Sequence, residues 1–221
     1  MLKLVLLRHG ESLGNLENRF TGVLDVDLTE KGYLDSYKCG IKLKKLEYDF
    51  DICYTSNLKR AIKTCWAVFD ALNKNYIKLI KIKNLNERNY GKILGMNKIE
   101  SVLKFKKKNV DNWLNAYNYR PPKIDILNKY WKTFNKKNNL KKIKLGSESL
   151  NDVLKRVFTF WEKILKKNIY KKKILIVAHS NILKVLINYI EKKKINNIVE
   201  NSKIIIYEFN NKLEIIKKNS I

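Results

Sequence analysis

Two short apolar runs, each ending on a histidine, constrain this chain more than any other feature. Leu2 to Leu7 leads into Arg8-His9-Gly10, Ile174 to Ala178 leads into His179-Ser180-Asn181, and the sequence holds no third histidine. Neither run alternates apolar with polar residues, and each is about a strand long, so both read as strands buried on two faces of a parallel sheet. Both histidines then stand at carboxyl ends of strands, the edge at which open parallel sheets bind ligands. A lone histidine in such a place is most often a core or loop residue. Two of two at matching positions point instead to one shared site.

The segment after the first run, Arg8-His9-Gly10-Glu11-Ser12-Leu13-Gly14-Asn15, is polar and glycine-containing and continues into Arg19-Phe20-Thr21-Gly22. A strand that turns into such a loop offers backbone N–H groups and a guanidinium to an anion. Thr29 reads as the N-cap of a helix with an apolar stripe of Leu34, Tyr37, Ile41 and Leu46, expected to be core. Asp51 to Tyr54 reads as a short strand. The next helix, opened by Thr55 to Ala61, has the stripe Leu58, Ile62, Cys65, Phe69 and Leu72. Arg60 falls in its first turn, where side chains lean toward the helix N-terminus, so its guanidinium can reach the same anion. Ile77 to Ile82 reads as a further strand. Ser149 and Asp152 have capping-box spacing ahead of a helix with the stripe Leu150, Val153, Leu154, Val157, Trp161, Ile164 and Leu165. Ser180 and Asn181 open another helix at the second histidine, with N–H groups facing the anion site. Ile204 to Phe209 and Leu213 to Ile216, split by Asn210-Asn211, read as a closing hairpin.

The string from Arg8 to Gly32, including R-H-G-E-S, Asn15, R-F-T-G and Asp25-Val26-Asp27-Leu28-Thr29-Glu30-Lys31-Gly32, resembles the phosphoglycerate mutase branch of the histidine phosphatase superfamily. Leu85-Asn86-Glu87-Arg88-Asn89-Tyr90-Gly91 is similar to that family's L-N-E-R-x-Y-G segment. The resemblance implies an α/β fold, with a mostly parallel central sheet and helices on both faces, in one domain spanning residues 1–221. It implies phosphoryl transfer between 3-phosphoglycerate and 2-phosphoglycerate, with His9 as nucleophile and 2,3-bisphosphoglycerate as primer. Arg8, Arg60 and a protonated His179 would stabilise the phosphoryl charge, so no metal is required. Glu87 would give and take the proton, and Asn15, Thr21, Gly22, Arg88, Tyr90, Lys98, Ser180 and Asn181 would position the substrate.

Two departures stand out. Leu114 and Asn115 follow Trp113 where the family has two arginines, and Ser180 replaces a glycine, which would crowd the pocket. Residues 109–145 form the divergent stretch, assigned a lid-like role by resemblance, and Lys123 to Lys144 is a Lys/Asn-rich segment long for a loop in a compact domain. Relatives are often dimers or tetramers, so a homodimer or homotetramer is expected. With water as acceptor the same site is a phosphomonoesterase, the nearest alternative.

Composition raises a competing class. Net charge is +26 with a pI near 9.9, a balance that usually prompts a search for nucleic acid or a membrane surface. However, only 6 of the 47 basic residues are Arg, and Lys, Asn and Ile fill 94 of 221 positions, a bias that runs through every segment. That pattern favours compositional drift over a built polyanion face. It leaves a decayed enzyme acting as a polyanion-binding protein as the alternative of another class, which His9, Glu87 and His179 argue against. Three cysteines without C-x-x-C spacing point to a reducing cytoplasm, and no apolar run reaches membrane-spanning length.

Overall fold

The computed structural model describes residues 2–124, 146–193 and 198–221. Its strands are β1 (Leu2–Arg8), β2 (Ile52–Thr55), β3 (Lys78–Lys81), β4 (Ile174–Ala178), β5 (Ile204–Phe209) and β6 (Ile215–Ser220), in one sheet of order β3-β2-β4-β1-β5-β6. The first four of that order are mutually parallel, and β5 and β6 add antiparallel strands at one side. The two apolar runs are adjacent in the sheet, in register from Leu4 opposite Ile174 to Arg8 opposite Ala178. The His9 N–H continues the ladder by donating to the Ala178 carbonyl at 3.0 Å. The two histidines therefore leave the sheet side by side.

Among the described residues the α-helices of four or more residues are α1 (Leu13–Leu16), α2 (Glu30–Lys45), α3 (Lys59–Leu72), α4 (Lys98–Phe105), α5 (Lys107–Asn115), α6 (Leu150–Phe160), continued by a π-helical turn over Trp161–Leu165, and α7 (Ser180–Glu191). They explain why the central strands do not alternate. Leu4, Leu6, Ile174 and Ile176 pack with Val153 and Val157 of α6 and Leu183 and Leu186 of α7. Val5, Leu7, Leu175 and Val177 point the other way, onto Cys39 and Leu43 of α2 and Cys65 and Val68 of α3. Each such fully buried side chain contributes about 1.5–3 kcal/mol relative to exposure, so the paired centre of the sheet is also its most strongly held part.

Local chemistry sets where the elements begin. Thr29 caps α2 by accepting from the Gly32 N–H (2.9 Å), and Ser149 and Asp152 form the reciprocal capping box of α6. α3 has no side-chain cap on its N-cap residue; Asp25 instead accepts from the Lys59 N–H at 2.7 Å, and Asp27 pairs with Lys63 at 2.6 Å. The Asp25-Val26-Asp27 stretch thus ties the loop after β1 onto the helix that carries Arg60.

Three expectations need correction or restriction. The stripe expected as the core face of α2 lies outside: Leu34 is 58% exposed, Leu46 51% and Tyr37 39%. The buried face is Gly32, Ser36, Cys39, Gly40 and Leu43, because α2 approaches α3 too closely for large side chains between them. The closing hairpin exists, but its second strand starts at Ile215 instead of Leu213. Asn210 Oδ1 accepts from the Lys212 and Glu214 N–H groups (2.9 and 3.0 Å), which extends the turn through Glu214. Of the lid-like stretch, α5 and the chain from Ala116 to Ile124 are described, and 125–145 lie outside the described residues. Among the described residues no helix is long and apolar enough to cross a membrane, and all three cysteines are free and buried.

Candidate active site

The carboxyl edge of the sheet opens into a cavity of about 360 Å³. His9 and Arg8 reach it from the end of β1, Arg60 from the first turn of α3, and Ser180 and Asn181 from the first turn of α7. Asn15, Thr21 and Gly22 come from the loop after β1, Glu87 and Tyr90 from the segment after β3, and Lys98 from the start of α4. The structure thus gathers at one cavity residues that are far apart in the chain.

His9 is buried, and its Nδ1 lies 2.7 Å from the Gly10 carbonyl. A carbonyl only accepts, so Nδ1 carries the proton and Nε2 keeps its lone pair. Burial, and then the nearby Arg60 and Arg8, hold the ring's pKa well below its ordinary value of 6.5. The imidazole is neutral at pH 7. Its ring centroid stands 5.0 Å from that of His179, tilted by 59°. His179 occupies the N-cap position of α7, fully buried, with Nε2 2.8 Å from Ser56 Oγ. Burial, with Arg60, His9 and Arg8, also drives its pKa well below 6.5, a direction that opposes the imidazolium expected at this position and favours a neutral ring.

The two arginines supply the fixed charge. Arg60 donates from Nη1 to Leu24 O and from Nη2 to Gly22 O, both at 2.7 Å, which locks the guanidinium against the loop after β1. Burial lowers its pKa to about 10, still well above neutral pH. Gly22 holds φ +49°, and a Cβ there would lie 2.6 Å from Arg88 O, so only glycine suits this hinge of the cavity wall. Arg8 donates to the Val199 carbonyl, and burial lowers its pKa somewhat. Lys98 is pushed down in the same direction by burial and by Arg8.

Glu87 is the buried carboxylate of the cavity. Its Oε1 accepts from the Arg88 N–H (2.7 Å) and Asn181 Nδ2 (3.3 Å), and the same Nδ2 donates to Tyr90 Oη at 2.8 Å. Burial and the adjacent Glu87 push the Tyr90 phenol up to about 12, keeping it neutral. Ser180 turns its hydroxyl to the Val199 carbonyl at 3.3 Å while still lining the cavity.

Arg88 does not line the cavity. Its Nε donates to Glu148 O (2.7 Å) and its guanidinium stacks on the Tyr90 ring at 5.6 Å, behind the cavity wall. Leu114 and Asn115 do line it, on the wall that α5 contributes. Sequence reading passed over Ser56, Arg19, Lys184 and Asn201. Arg19 and Lys184 border the cavity. Asn201 Nδ2 reaches His9 O (2.9 Å), Gly10 O (3.1 Å) and Asn15 Oδ1 (3.3 Å), bracing the loop. Arg19 stood inside the R-F-T-G match; the other three lie in no pattern that marks a cavity.

Among the described residues no group of three or more His, Cys, Asp or Glu side chains is gathered for a metal ion. The donor set suits an anion. Arg8 Nε and His179 Nδ1 are buried with no hydrogen-bond partner among the described residues, and guanidiniums outnumber carboxylates close to the histidines. A phosphorylated acid fits this donor chemistry.

Comparison with solved structures places the sheet and its helices in a known class. A mycobacterial glucosyl-3-phosphoglycerate phosphatase in complex with VO3 superposes with a TM-score of 0.74 at 17% identity, covering 100% of this chain and 97% of that one. A phosphoserine phosphatase from Entamoeba histolytica in complex with 3-phosphoglyceric acid gives 0.69 at 21%, covering 100% and 98%. At these identities the likeness shows the fold. The profile of the histidine phosphatase superfamily (branch 1) matches residues 4–219, and the chain belongs to that enzyme superfamily. A 2,3-bisphosphoglycerate-dependent phosphoglycerate mutase from Lachnoclostridium phytofermentans is 42% identical over 194 residues, covering 86% of this chain and 78% of that protein.

Proposed function

We propose that the protein interconverts 3-phosphoglycerate and 2-phosphoglycerate through a phosphohistidine at His9, a step of glycolysis and gluconeogenesis in the cytoplasm. The observation that carries the proposal is the neutral His9 ring, whose Nδ1 is committed to Gly10 and whose Nε2 lone pair stands in a cationic cavity beside Glu87. The 42% identical relative supports the choice of substrate.

In the forward half, His9 Nε2 forms the N–P bond as the P–O bond to the substrate oxygen breaks, and Glu87 delivers a proton to that oxygen. In the return half a hydroxyl oxygen attacks phosphorus, Glu87 takes its proton, and the N–P bond breaks. Arg8 and Arg60 face the negative charge spread over the phosphoryl oxygens. Asn15, Thr21, Gly22, Tyr90, Lys98, Ser180 and Asn181 orient the acid, and Arg88 steadies Glu87 and Tyr90 from behind. When bound, 2,3-bisphosphoglycerate would be held by the same cationic groups and supplies the first phosphoryl group to His9.

The test is 3-phosphoglycerate conversion with and without 2,3-bisphosphoglycerate, with phosphate release followed in parallel. Primer-dependent formation of 2-phosphoglycerate that outpaces phosphate release is expected, and intact mass should show one acid-labile phosphoryl group that His9→Ala lacks. Phosphate release without isomerisation would instead establish a phosphomonoesterase. One observation favours that second reading: Leu114 and Asn115, uncharged, form the cavity wall where the resemblance expects two arginines.

A further inference from the structure

The two ring nitrogens of His179 meet different surroundings. Nε2 lies 2.8 Å from Ser56 Oγ, while Nδ1 is buried with no hydrogen-bond partner among the described residues. A neutral imidazole holds one proton, on either nitrogen, so its neighbours decide which. Ser56 follows directly on β2, is itself fully buried, and its Oγ accepts from the Leu58 N–H at 3.2 Å.

Two arrangements conserve hydrogens. If His179 Nε2–H donated to Ser56 Oγ, that oxygen would accept twice and its own hydroxyl proton would need an acceptor. Among the described residues Ser56 Oγ has hydrogen-bond contacts with Leu58 and His179 alone, so a buried donor would go unpaired, which is costly. If Ser56 O–H donates to His179 Nε2, the Leu58 N–H, the hydroxyl and the Nε2 lone pair are all satisfied. The imidazole proton then sits on Nδ1, so this arrangement leaves one buried group, the Nδ1–H, without a partner among the described residues, where the other leaves two, the Ser56 hydroxyl and the bare Nδ1.

We propose that Ser56 is a positioning residue that fixes His179 in the Nδ1–H tautomer, so that the neutral ring donates a hydrogen bond to an oxygen of the transferring phosphoryl group. This rests on the phosphoryl-transfer reading of the site. The two histidines then share a tautomer and play opposite parts. His9 spends its Nδ1–H on Gly10 and offers a lone pair; His179 spends its lone pair on Ser56 and offers an N–H. The arrangement also suits the local field. Arg8 and Arg60 already place two buried cations here, and an imidazolium would add a third beside them. A neutral donor supplies direction without that repulsion, and the guanidiniums supply the charge.

The experiment is two-bond ¹H–¹⁵N correlation NMR on protein labelled at its two histidines, assigned with His9→Gln. Wild type at pH 7.5 is expected to show His179 with a protonated Nδ1 and a bare Nε2; a protonated Nε2, or both nitrogens protonated, overturns the proposal without any variant at Ser56. Ser56→Ala should shift His179 toward a mixture of tautomers, and Ser56→Thr, which keeps the hydroxyl, should restore it. An unchanged tautomer in Ser56→Ala removes Ser56 from the role. In the mutase assay Ser56→Ala should lower kcat by roughly 2- to 10-fold with little change in KM, short of the roughly 100- to 1,000-fold for losing one aimed donor outright because a mixture keeps part of the ring in the donating tautomer. Unchanged kcat alongside a shifted tautomer overturns the donor role. An inactive wild type would sink the phosphoryl-transfer reading, and the donor role with it. An active wild type with the wrong tautomer sinks this proposal alone.

Discussion

His9 and His179 are neutral because they are buried beside Arg8 and Arg60, and the same burial couples folding to pH. Both have folded-state pKa values below the ordinary 6.5, which the unfolded chain regains. Above that pH neither state binds the proton and the residues contribute no pH dependence. As pH falls below 6.5 the unfolded chain takes up protons that the folded chain refuses, so stability falls, by up to about 1.4 kcal/mol per histidine per pH unit. Urea unfolding at pH 7.5 and 5.5 should show wild type losing about 1–3 kcal/mol more than the His9→Gln, His179→Gln double variant. An equal loss in both proteins would mean that the rings protonate freely in the folded state. At the cavity rim, Leu114 and Asn115 test substrate capture. Each bidentate arginine contact to a carboxylate or phosphate is worth about 1.5–3 kcal/mol, so Leu114→Arg with Asn115→Arg should lower KM and raise the ratio of mutase to phosphatase activity. If neither quantity moves, the α5 wall does not touch substrate. Most of the cavity was legible in the sequence because its residues sit in contiguous strings: R-H-G-E-S, R-F-T-G and L-N-E-R-x-Y-G. Ser56 and Asn201 were not, since the bond of Ser56 to the His179 ring and those of Asn201 to the His9 and Gly10 carbonyls exist only once β2 and the segment before β5 have folded against the site.

Helix α2 shows where periodicity misleads. Its large apolar residues Leu34, Tyr37, Ile41 and Leu46 repeat at helical spacing, yet the helix buries the opposite, small-residue side. The spacing identifies a helix, but which face is core depends on how near the neighbouring helix comes, and that distance is a tertiary fact. In α3, Leu58, Ile62, Cys65, Phe69 and Leu72 are buried as its stripe implies, with Cys65, Phe69 and Leu72 in one cluster with side chains of β1, β2 and β4. The contact between the two helices centres on Gly40, where a Cβ would stand 2.6 Å from Ala71 Cβ and 2.8 Å from Val68 O. Alanine is favoured over glycine in a helix interior by roughly 1 kcal/mol, whereas overpacking typically costs about 1–3 kcal/mol. Gly40→Ala should therefore lower the urea midpoint, and Ala71→Gly in the same chain should recover part of the loss. A raised midpoint in Gly40→Ala would refute the close approach. The strands needed no such arbitration, because runs buried on both faces read the same whichever helix covers them.

At the scale of the whole molecule the formal charge of +26 asks whether the surface is built for a polyanion. The lysines among the described residues are dispersed. Lys31 and Lys38 are exposed on α2, Lys107 and Lys108 on α5, Lys171 to Lys173 ahead of β4, and Lys217 and Lys218 on the edge strand β6, where they also discourage strand-to-strand association. The six arginines behave otherwise. Arg8, Arg19, Arg60, Arg88, Arg120 and Arg156 each donate a side-chain hydrogen bond to a backbone carbonyl or a carboxylate. A compositional drift toward lysine that spares the positions where fork geometry matters gives this division: lysine wherever a solvated charge suffices, arginine where two donors must be aimed. Such a surface is expected to attract any polyanion weakly and to read none. Spread charges act over a Debye length of about 8 Å at physiological salt, too short for lysines on opposite faces to act together on one duplex. Oligonucleotides of unrelated sequence should bind equally at low salt and lose affinity by orders of magnitude between about 50 and 200 mM salt, as counterion release requires. Fluorescence anisotropy on two such duplexes across that range decides the matter. Tight binding to one sequence at physiological salt would mean that the lysines form a recognition surface after all, and would promote a nucleic-acid function over the chemistry at His9.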